Sequence, residues 1–296
     1  MKKSLTAVCY GEVLWDIFSS EKKIGGAPLN VALRIKSLGF DSAMISCVGK
    51  DEDGHEIITH IAKQGLDTKA ISTNAYPTGV VQVHLNETGS ASYDIHYPSA
   101  WDKIEINNHA ETLVKNADVL IYGSLVCRDE TSRATLLGLL EKEVYKVFDV
   151  NLRKPHYTIE TLKLLMQKAD FIKFNDEELP EIVLALGAAE QGLKENIEFI
   201  AEATNTKSIC VTCGKDGALL YWDGAYYSNP GYNITVADTV GAGDSFLASI
   251  VTKLFSENDP QAAVDFACAV GALVASKSGA NPEVSSAEVI SIMRVL

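Results

Sequence analysis

The stretch Asp238-Thr239-Val240-Gly241-Ala242-Gly243-Asp244-Ser245-Phe246 places a loop of small residues directly before apolar residues at helical spacing. The pattern predicts a helix over 244–255. The first N–H groups of a helix have no partners within it, and the helix dipole adds positive potential there. Small side chains let another group approach these N–H groups closely. The stretch therefore predicts a seat for a phosphate or a developing oxyanion.

Asp244 lies in the first turn of this predicted helix, and two interpretations of it stay open. A carboxylate there often serves only to cap the helix. Alternatively, Asp244 is a base directed at a hydroxyl whose attack on a phosphate is stabilised by the neighbouring N–H groups. We expect the helix N-terminus to lower the pKa of Asp244 and make it a weak base. Phosphoryl transfer tolerates a weak base, because positioning dominates its loose transition state.

A second glycine-rich turn, Gly25-Gly26-Ala27-Pro28-Leu29-Asn30, leads into a predicted helix that ends near Leu38. Turn geometry and helix capping explain its glycines. They do not explain Asn30, a poor helix former just inside the helix. We therefore interpret the Asn30 amide as a group that holds a polar ligand.

Short β-like runs alternate with amphipathic helical runs along most of the chain. Buried strands are predicted over 43–48, 118–122, 147–150, 171–174 and 208–212, and helices over 53–65, 129–141 and 158–169. This alternation implies βαβ units and a mostly parallel sheet with helices on both faces. Ligands of such sheets bind outside the carboxyl ends of the strands. The last third is predicted to be helical over 244–255, 260–276 and 285–295, after a hairpin that turns at Asp223-Gly224.

One region breaks the alternation. Residues 79–85 and 92–97 read as two alternating strands joined by a turn over 86–89. Together with 12–19 they could form a small separate sheet. Such an excursion fits either a lid over the site or a dimer surface, and the pattern does not choose between them.

The composition excludes several classes of protein. The 296 residues include 26 lysines and arginines against 39 aspartates and glutamates, a formal net charge of −13. This field argues against nucleic acid and anionic membranes as partners. The six cysteines are scattered through apolar runs, as in a cytosolic protein with reduced thiols. No apolar run approaches a membrane span, and Glu12 and Asp16 interrupt the apolar stretch of a signal-like start. We expect a cytoplasmic protein.

Other motifs carry little weight. His55 and His60 are five residues apart and fall on different helix faces, so they cannot share a metal. Cys210 and Cys213 form a lone C-x-x-C whose members point to opposite sides of a strand. The chain has no P-loop consensus, and Phe246 stands where the third glycine of a dinucleotide fingerprint belongs.

The two glycine-rich segments together resemble the two signatures of the ribokinase-like carbohydrate kinases, the PfkB family. The first runs from Gly25 to Gly49, and the second from Asp238 to Ala248, with a small departure at Ser249. Segments 11–16, 149–153, 175–178 and 212–217 fit the same family in order, with 11–16 resembling its first strand. The resemblance implies an α/β fold, a three-layer αβα sandwich with a mostly parallel sheet. It also implies one domain over 1–296, with a β lid formed by about 12–24 and 78–100.

The resemblance also implies a set of site residues. It makes Asp244 the base, with an anion hole formed by Gly241, Ala242, Gly243 and the Asp244 backbone. It places the sugar beside Asp16, Gly26, Asn30 and Arg153. It assigns Asn175 and Glu178 to the phosphates and to Mg²⁺, which Glu178 meets through water, and Thr212, Gly214 and Gly217 to ATP. A K⁺ ion, bound by some relatives, would involve Asp238, Val240 and Ala280.

The implied activity is transfer of the ATP γ-phosphate to a sugar hydroxyl. Fructose is favoured, because the amino-acid sequences of several segments resemble those of bacterial fructokinases. These segments include 99–102 and 123–125 with Arg128. Residues 79–97 contain no lysine or arginine, which argues against a sugar phosphate; Lys22 and Lys23 keep that question open. A sugar acid such as 2-keto-3-deoxygluconate, meeting Arg153, and a nucleoside are the alternatives. A non-catalytic sugar or nucleotide sensor is a remote one, and a homodimer through the lid is plausible.

Overall fold

The computed structural model describes residues 5–19, 21–85 and 91–294. The strands are β1 (Thr6–Tyr10), β2 (Leu14–Ile17), β3 (Lys22–Gly25), β4 (Asp41–Gly49), β5 (Ile71–Asn74), β6 (Gly79–Leu85), β7 (Ala91–Ile95), β8 (Val119–Gly123), β9 (Tyr145–Asp149), β10 (Phe171–Asn175), β11 (Ser208–Thr212), β12 (Ala218–Trp222) and β13 (Ala225–Asn229). The helices are α1 (Ala27–Ser37), α2 (Glu52–Lys63), α3 (Asn108–Asn116), α4 (Glu130–Leu139), α5 (Ile159–Lys168), α6 (Glu178–Ala185), α7 (Leu193–Thr204), α8 (Ala242–Glu257), α9 (Pro260–Ala275) and α10 (Ser286–Met293).

The larger sheet has the strand order β13-β12-β11-β10-β9-β8-β1-β4-β5. The strands β11, β10, β9, β8, β1, β4 and β5 run parallel to one another. Strands β12 and β13 close one edge of the sheet as an antiparallel hairpin. The predicted mostly parallel sheet is confirmed. Asp223 and Gly224 form the hairpin turn with positive φ angles of 48° and 86°, as the sequence predicted.

Two apolar layers cover the faces of this sheet. Successive residues of β1 point to opposite faces: Val8 belongs to one core cluster and Cys9 to the other. Helices α3 to α7 pack on the Val8 side, and α1, α2, α8, α9 and α10 pack on the Cys9 side. The result is the three-layer αβα sandwich that the resemblance implied.

Local capping explains where the helices begin. Asp129 and Thr158 accept backbone N–H groups at the starts of α4 and α5, and so define the N-terminal ends of the two predicted helices. Two predicted starts were wrong. Asp51, not Asp53, caps α2, and α8 begins at Ala242, so that Asp244 is its third residue. The sequence did not predict β1, β3, β5, α3, α6 or α7. The predicted last helix ends at Met293, and Val295 lies outside the described residues.

A second, four-stranded sheet has the order β3-β2-β6-β7. Strand β2 pairs parallel with β6 and antiparallel with β3, and β6 pairs antiparallel with β7. The predicted turn over 86–89 lies outside the described residues. Asp16 lies on β2 of this small sheet, because the first strand is 6–10; its placement on the first strand was wrong.

Polar contacts hold the small sheet against the larger body. On one side Lys22 Nζ lies 2.9 Å from Asp53 Oδ1 and 2.7 Å from Glu56 Oε2. On the other side the buried Arg128 Nε lies 2.7 Å from Asp102 Oδ1, and this arginine also donates to the carbonyl of Ile95 at the end of β7.

All six cysteines are free thiols. Within the described ranges, every helix is too short or too polar to cross a membrane.

Candidate active site

The carboxyl ends of three neighbouring parallel strands bring polar residues to one edge of the larger sheet. Asp149 ends β9, Asn175 ends β10 and Thr212 ends β11. The register places Lys173 beside Asp149 and Asn175 beside Thr212. This is the edge at which ligands of such sheets bind.

The N-terminus of α8 contributes the predicted anion hole. Gly241 is the N-cap with a φ of 76°, and a Cβ there would overlap the carbonyl of Ala280. Only glycine fits both constraints. The backbone of Ala242, Gly243 and Asp244 forms the first turn, whose N–H groups have no partners within the helix.

A chain of side-chain hydrogen bonds joins the two glycine-rich segments. Asn30 Nδ2 donates to Asp244 Oδ2 at 2.8 Å. Asn281 Nδ2 donates in turn to Asn30 Oδ1 at 2.9 Å. The amide of Asn30, buried inside α1, therefore orients the carboxylate at the start of α8. Asn281 was not predicted, and its position in a loop gave no sequence signal.

The environment of Asp244 reverses one prediction. Burial, together with the charge of Asp149, raises the pKa of Asp244 to about 6. The Asn30 hydrogen bond and the cations Lys173 and Arg153 oppose this shift without overcoming it. The expected lowering by the helix N-terminus was wrong, because removing the carboxylate from water outweighs the dipole. The carboxylate is consequently a stronger base than the sequence suggested.

Two more carboxyl groups face the same space. Burial raises the pKa of Asp16 to about 6 and that of Glu12 to about 7. The charge of Arg153 lowers both pKa values, and the charge of Asp244 raises both. Arg153 itself is exposed. The structure thus brings Asp16, Arg153 and Asp244 together and adds Glu12, which was not predicted although a charge after the apolar strand 6–10 was a signal.

Glycines make room for these groups. A Cβ on Gly25 would overlap the carboxylate of Asp16, and a Cβ on Gly26 would overlap the carbonyl of Glu12. Gly26 is also the N-cap of α1, with a φ of 115°. The predicted sugar-side residue Gly26 therefore lies between Glu12 and the helix that carries Asn30.

Lys173 is the principal residue that sequence reasoning missed. Its Nζ lies 2.9 Å from Asp149 Oδ1, and both side chains are buried. Burial disfavours the ammonium, but the charges of Asp149, Glu178 and Asp244 outweigh it and raise the pKa of Lys173. A Cβ built on Gly243 would lie 3.7 Å from this Nζ, so the cation faces the start of α8, where the anion hole is predicted. A single lysine within the apolar strand 171–174 was the available signal.

Asn175 and Glu178 form a tight turn at the end of β10. Asn175 Oδ1 accepts the N–H groups of Glu177 and Glu178 at 3.0 and 2.8 Å. The two carboxylate oxygens of Glu178 accept the N–H groups of Leu152 and Asn175 at 2.8 and 2.9 Å. Burial raises the pKa of Glu178. Each oxygen of the Glu178 carboxylate already accepts a backbone N–H group. This arrangement fits a contact with Mg²⁺ through an intervening water molecule.

The described part of the chain contains no group of three or more histidine, cysteine or acidic side chains arranged to hold a metal. Mg²⁺ in phosphotransferases is commonly held by one or two carboxylates, water and substrate phosphates. The donor set here, Glu178 with Asp149 nearby, fits that pattern.

The predicted nucleotide-side residues lie along one loop. Thr212 Oγ1 donates to the Phe174 carbonyl at 3.3 Å. Gly214 and Gly217 have φ angles of 54° and 84°, and a Cβ on Gly217 would overlap the Asn229 carbonyl. These glycines shape the turn between β11 and β12.

The residues predicted for K⁺ are also adjacent. Asp238 Oδ1 accepts the N–H of Val240 at 3.0 Å, and Asp238 Oδ2 accepts that of Gly279 at 3.1 Å. Ala280 follows directly and lies against Gly241. Asp238 thereby joins two loops beside the anion hole.

Comparisons with known proteins agree with this geometry. Residues 3–287 match the model of the pfkB family carbohydrate kinases. The chain is 31% identical over 306 residues to probable fructokinase-5 of Arabidopsis thaliana, covering 93% of each protein. A sugar kinase from Pyrococcus horikoshii, solved in complex with ATP, shares 28% identity at a TM-score of 0.81, covering 93% of this chain and 94% of that one. The 2-dehydro-3-deoxygluconokinase of Thermotoga maritima shares the fold at a TM-score of 0.86 and 20% identity, covering 99% of both chains.

Proposed function

The chain belongs to the pfkB family of carbohydrate kinases and is a phosphotransferase that acts on a sugar, and from this premise we propose that its substrate is fructose. The similarity to a plant fructokinase over nearly the whole chain supports this choice. The observation that carries the proposed mechanism is the hydrogen bond from Asn30 to Asp244, which fixes a half-buried carboxylate of raised pKa at the proposed anion hole.

In this mechanism Asp244 accepts the proton of the sugar hydroxyl. The amide of Asn30 occupies one of its oxygens, and the other is directed by that contact toward the site. A pKa of about 6 leaves Asp244 ionised at neutral pH while keeping it basic enough to accept the proton. The hydroxyl oxygen then attacks the γ-phosphorus of ATP, and ADP leaves.

The start of α8 and Lys173 hold the negative charge that develops on the transferred phosphoryl group. The N–H groups of Gly243 and Asp244 donate to its oxygens, and the Lys173 ammonium faces the same space. The N–H of Ala242 donates to the Thr239 carbonyl at 3.2 Å and becomes a third donor when that contact opens. Glu178 would hold Mg²⁺ through water, and the bound ion would supply neutralisation of the phosphate charge. We further propose K⁺ beside Asp238, Val240 and Ala280, and ATP along Asn175, Thr212, Gly214 and Gly217.

The charges on the sugar side favour a neutral substrate. Glu12, Asp16 and Asp244 set three carboxyl groups against the single guanidinium of Arg153. A sugar acid or a sugar phosphate would have to overcome that excess. We propose that Asp16 and Asn30 bind sugar hydroxyls, and that the Arg153 guanidinium donates hydrogen bonds to hydroxyl oxygens instead of receiving a carboxylate.

The lysines near the small sheet do not change this balance. Lys22 is held by Asp53 and Glu56, and Lys23 Nζ lies 2.9 Å from Glu21. Both ammonium groups therefore already have acidic partners. We propose that the small sheet, which carries Asp16, acts as a lid of a single domain and excludes water during transfer.

The experiment that tests the proposal is ADP release from ATP and Mg²⁺ with fructose, ribose, fructose 6-phosphate, 2-keto-3-deoxygluconate, glucose and adenosine. We expect saturable turnover with fructose at a kcat/KM far above the others. A clear preference for 2-keto-3-deoxygluconate would replace fructose and reassign Arg153 to its carboxylate. The absence of turnover with every compound, in folded protein that binds ATP, would contradict the enzymatic assignment.

A further inference from the structure

A cavity of about 570 Å³ lies beside the candidate active site, on the other face of the small sheet. Strand β3, helix α1, the end of α2 and the segment 278–283 enclose it. Trp15 of β2 forms part of its wall, whereas Asp16, the next residue, points to the opposite face because side chains alternate along a strand. The cavity shares Asn30 and Ala280 with the candidate active site but not Asp16, Arg153 or Asp244.

Arg34 is the unusual residue of this wall. It lies in the middle of α1 and is only 2% exposed. Its Nε donates to Ser245 Oγ at 3.0 Å, and its Nη2 donates to the Pro282 carbonyl at 2.9 Å. Within the described part of the chain, no carboxylate forms an ion pair with it, and burial lowers its pKa. The guanidinium is thus buried with neutral partners alone.

Two other buried cations of the protein, unlike Arg34, have acidic partners. Arg128 is paired with Asp102 at 2.7 Å, and Lys173 is paired with Asp149 at 2.9 Å. A buried charge is costly unless a counter-charge compensates it. Arg34, which borders an open cavity instead of a carboxylate, is therefore placed to receive an anion from outside.

The rest of the wall suits an organic anion. Lys22 and His60 add a cation and an imidazole, and the exposed Glu283 is the acidic side chain of the wall. Lys22 also keeps its ion pairs with Asp53 and Glu56, so Arg34 is the cation of the wall without an acidic partner among the described residues.

Asn281 lines the cavity, and its Oδ1 atom accepts no hydrogen bond from the described residues. Because this atom is closed off from solvent, a ligand hydroxyl reaches it when the Asn281 side chain turns toward the cavity. The volume exceeds what inorganic phosphate would fill and falls in the range of small-molecule sites.

We propose that this cavity is a second ligand site, separate from the catalytic one, which binds a small hydroxylated organic anion. The phosphate or carboxylate group of the ligand pairs with Arg34, and a hydroxyl group donates to Asn281 Oδ1. The alternative is that Arg34 only fastens α1 to Ser245 and to the loop at Pro282, with no ligand.

The test is isothermal titration calorimetry of folded protein with fructose 6-phosphate, citrate, inorganic phosphate or fructose, in the presence of a saturating non-hydrolysable ATP analogue and Mg²⁺. The two organic anions distinguish a phosphate from a carboxylate ligand, and the readout does not depend on turnover or on the sugar proposed above. Arg34→Met removes the charge at similar volume, and Gln64→Trp fills the cavity from an exposed position. Arg133→Gln, at a surface arginine paired with Glu130, is the matched control. Asp16→Ala reports binding at the catalytic site.

We expect saturable binding of fructose 6-phosphate or citrate, weakened about tenfold or more by Arg34→Met and by Gln64→Trp. Arg133→Gln and Asp16→Ala should leave it unchanged, and fructose should not bind there. Should Arg34→Met fail to fold, Gln64→Trp decides alone. The proposal is overturned if neither organic anion binds up to about 10 mM, if only inorganic phosphate binds, if both cavity variants bind as the wild type does, or if Asp16→Ala abolishes the binding.

Discussion

On the proposed phosphate side of the site the buried Asp149 is held by the ammonium of Lys173 at 2.9 Å, whereas on the proposed sugar side the half-buried Asp244 is held by the amide of Asn30 at 2.8 Å. The ammonium supplies a full counter-charge, and the amide supplies only a dipole. Asp244 therefore keeps a pKa raised to about 6, which suits a proton acceptor. The pair at Asp149 instead presents a fixed cation toward the anion hole. The comparison of Asp149 with Asp244 shows that the partner of a carboxylate decides its chemical role.

The largest expected effect comes from removing the carboxylate that lacks a counter-charge. Asp244→Asn keeps the size of the side chain but cannot accept a proton. We expect turnover to fall by about 10²–10⁴-fold, the usual worth of a positioned general base, while sugar binding stays measurable. Asp223→Asn, in the exposed hairpin turn, is the control and should retain full activity. If Asp244→Asn turned over at a rate close to that of the wild type, this result would contradict the assignment of Asp244 as the base.

The second effect concerns the paired carboxylate. Lys173→Met leaves Asp149 buried without its partner, so we expect the free energy of unfolding to fall by about 3–5 kcal/mol. The double variant Lys173→Met with Asp149→Leu removes both charges and should recover most of that stability, but not the turnover, because the cation at the anion hole is still missing. Urea unfolding and steady-state kinetics on both variants separate the two roles. Full turnover of the stable double variant would show that Lys173 serves the fold alone.

The third effect compares the stability of wild type and Asp244→Asn across pH. The pKa of Asp244 is about 6 in the folded chain and about 3.9 for an unfolded aspartate. Between these values the folded chain binds a proton that the unfolded chain has lost, so the free energy of unfolding falls as pH rises through the window. An asparagine at position 244 does not titrate, so it does not cause this fall in the free energy of unfolding. Asp244→Asn should therefore melt at a higher temperature than the wild type at pH 8, and the gap should close below about pH 4.

Thermal unfolding followed by circular dichroism gives this difference directly. Glu12 and Asp16 titrate in both proteins, and loss of the Asp244 charge lowers their raised pKa values in the variant, which widens the difference at pH 8 in the same direction. A variant that melts below the wild type at pH 8 would mean that the carboxylate stabilises the fold, contrary to its raised pKa.

The smallest effect is expected at the contact between the small sheet and α2. Lys22→Gln removes exposed ion pairs with Asp53 and Glu56, which are screened by solvent. We expect a rise of roughly twofold in the KM for the sugar with little change in kcat. Lys36→Gln, which removes an exposed pair with Asp41, is the matched control. A loss of kcat in Lys22→Gln would give this contact a larger part in closure than the structure suggests.

The sequence was sufficient for most strands of the larger sheet, because strands such as 208–212 are apolar runs bounded by turn residues. It was insufficient for β3 and β5, whose residues 22–25 and 71–74 are short and partly polar and become strands only through pairing with β2 and β4. Helix α6 was missed for a related reason: it begins within the segment that was interpreted only as a motif.

The site was predictable in its residues but not in its electrostatics. The two glycine-rich segments indicated Asn30 and Asp244 separately, and the structure joins them by one hydrogen bond. The direction of the Asp244 pKa shift depends on burial by segments that are distant in the sequence. A local sequence pattern does not indicate that burial. Lys173 could have been noticed as a lone charge in an apolar strand, whereas Asn281 reaches Asn30 only through the path of a loop.

The most direct test of Asp244 as the base is the pH dependence of kcat/KM for fructose in the wild type and in Asn30→Ala, because this ratio reports the pKa of the enzyme before sugar binds. The account predicts that wild-type kcat/KM falls tenfold per pH unit below a midpoint near the Asp244 pKa of about 6. The midpoint should move to higher pH in Asn30→Ala, because the amide hydrogen bond lowers the pKa of Asp244. A kcat/KM that does not change with pH across this range, or an acidic limb that Asn30→Ala leaves in place, would contradict the account.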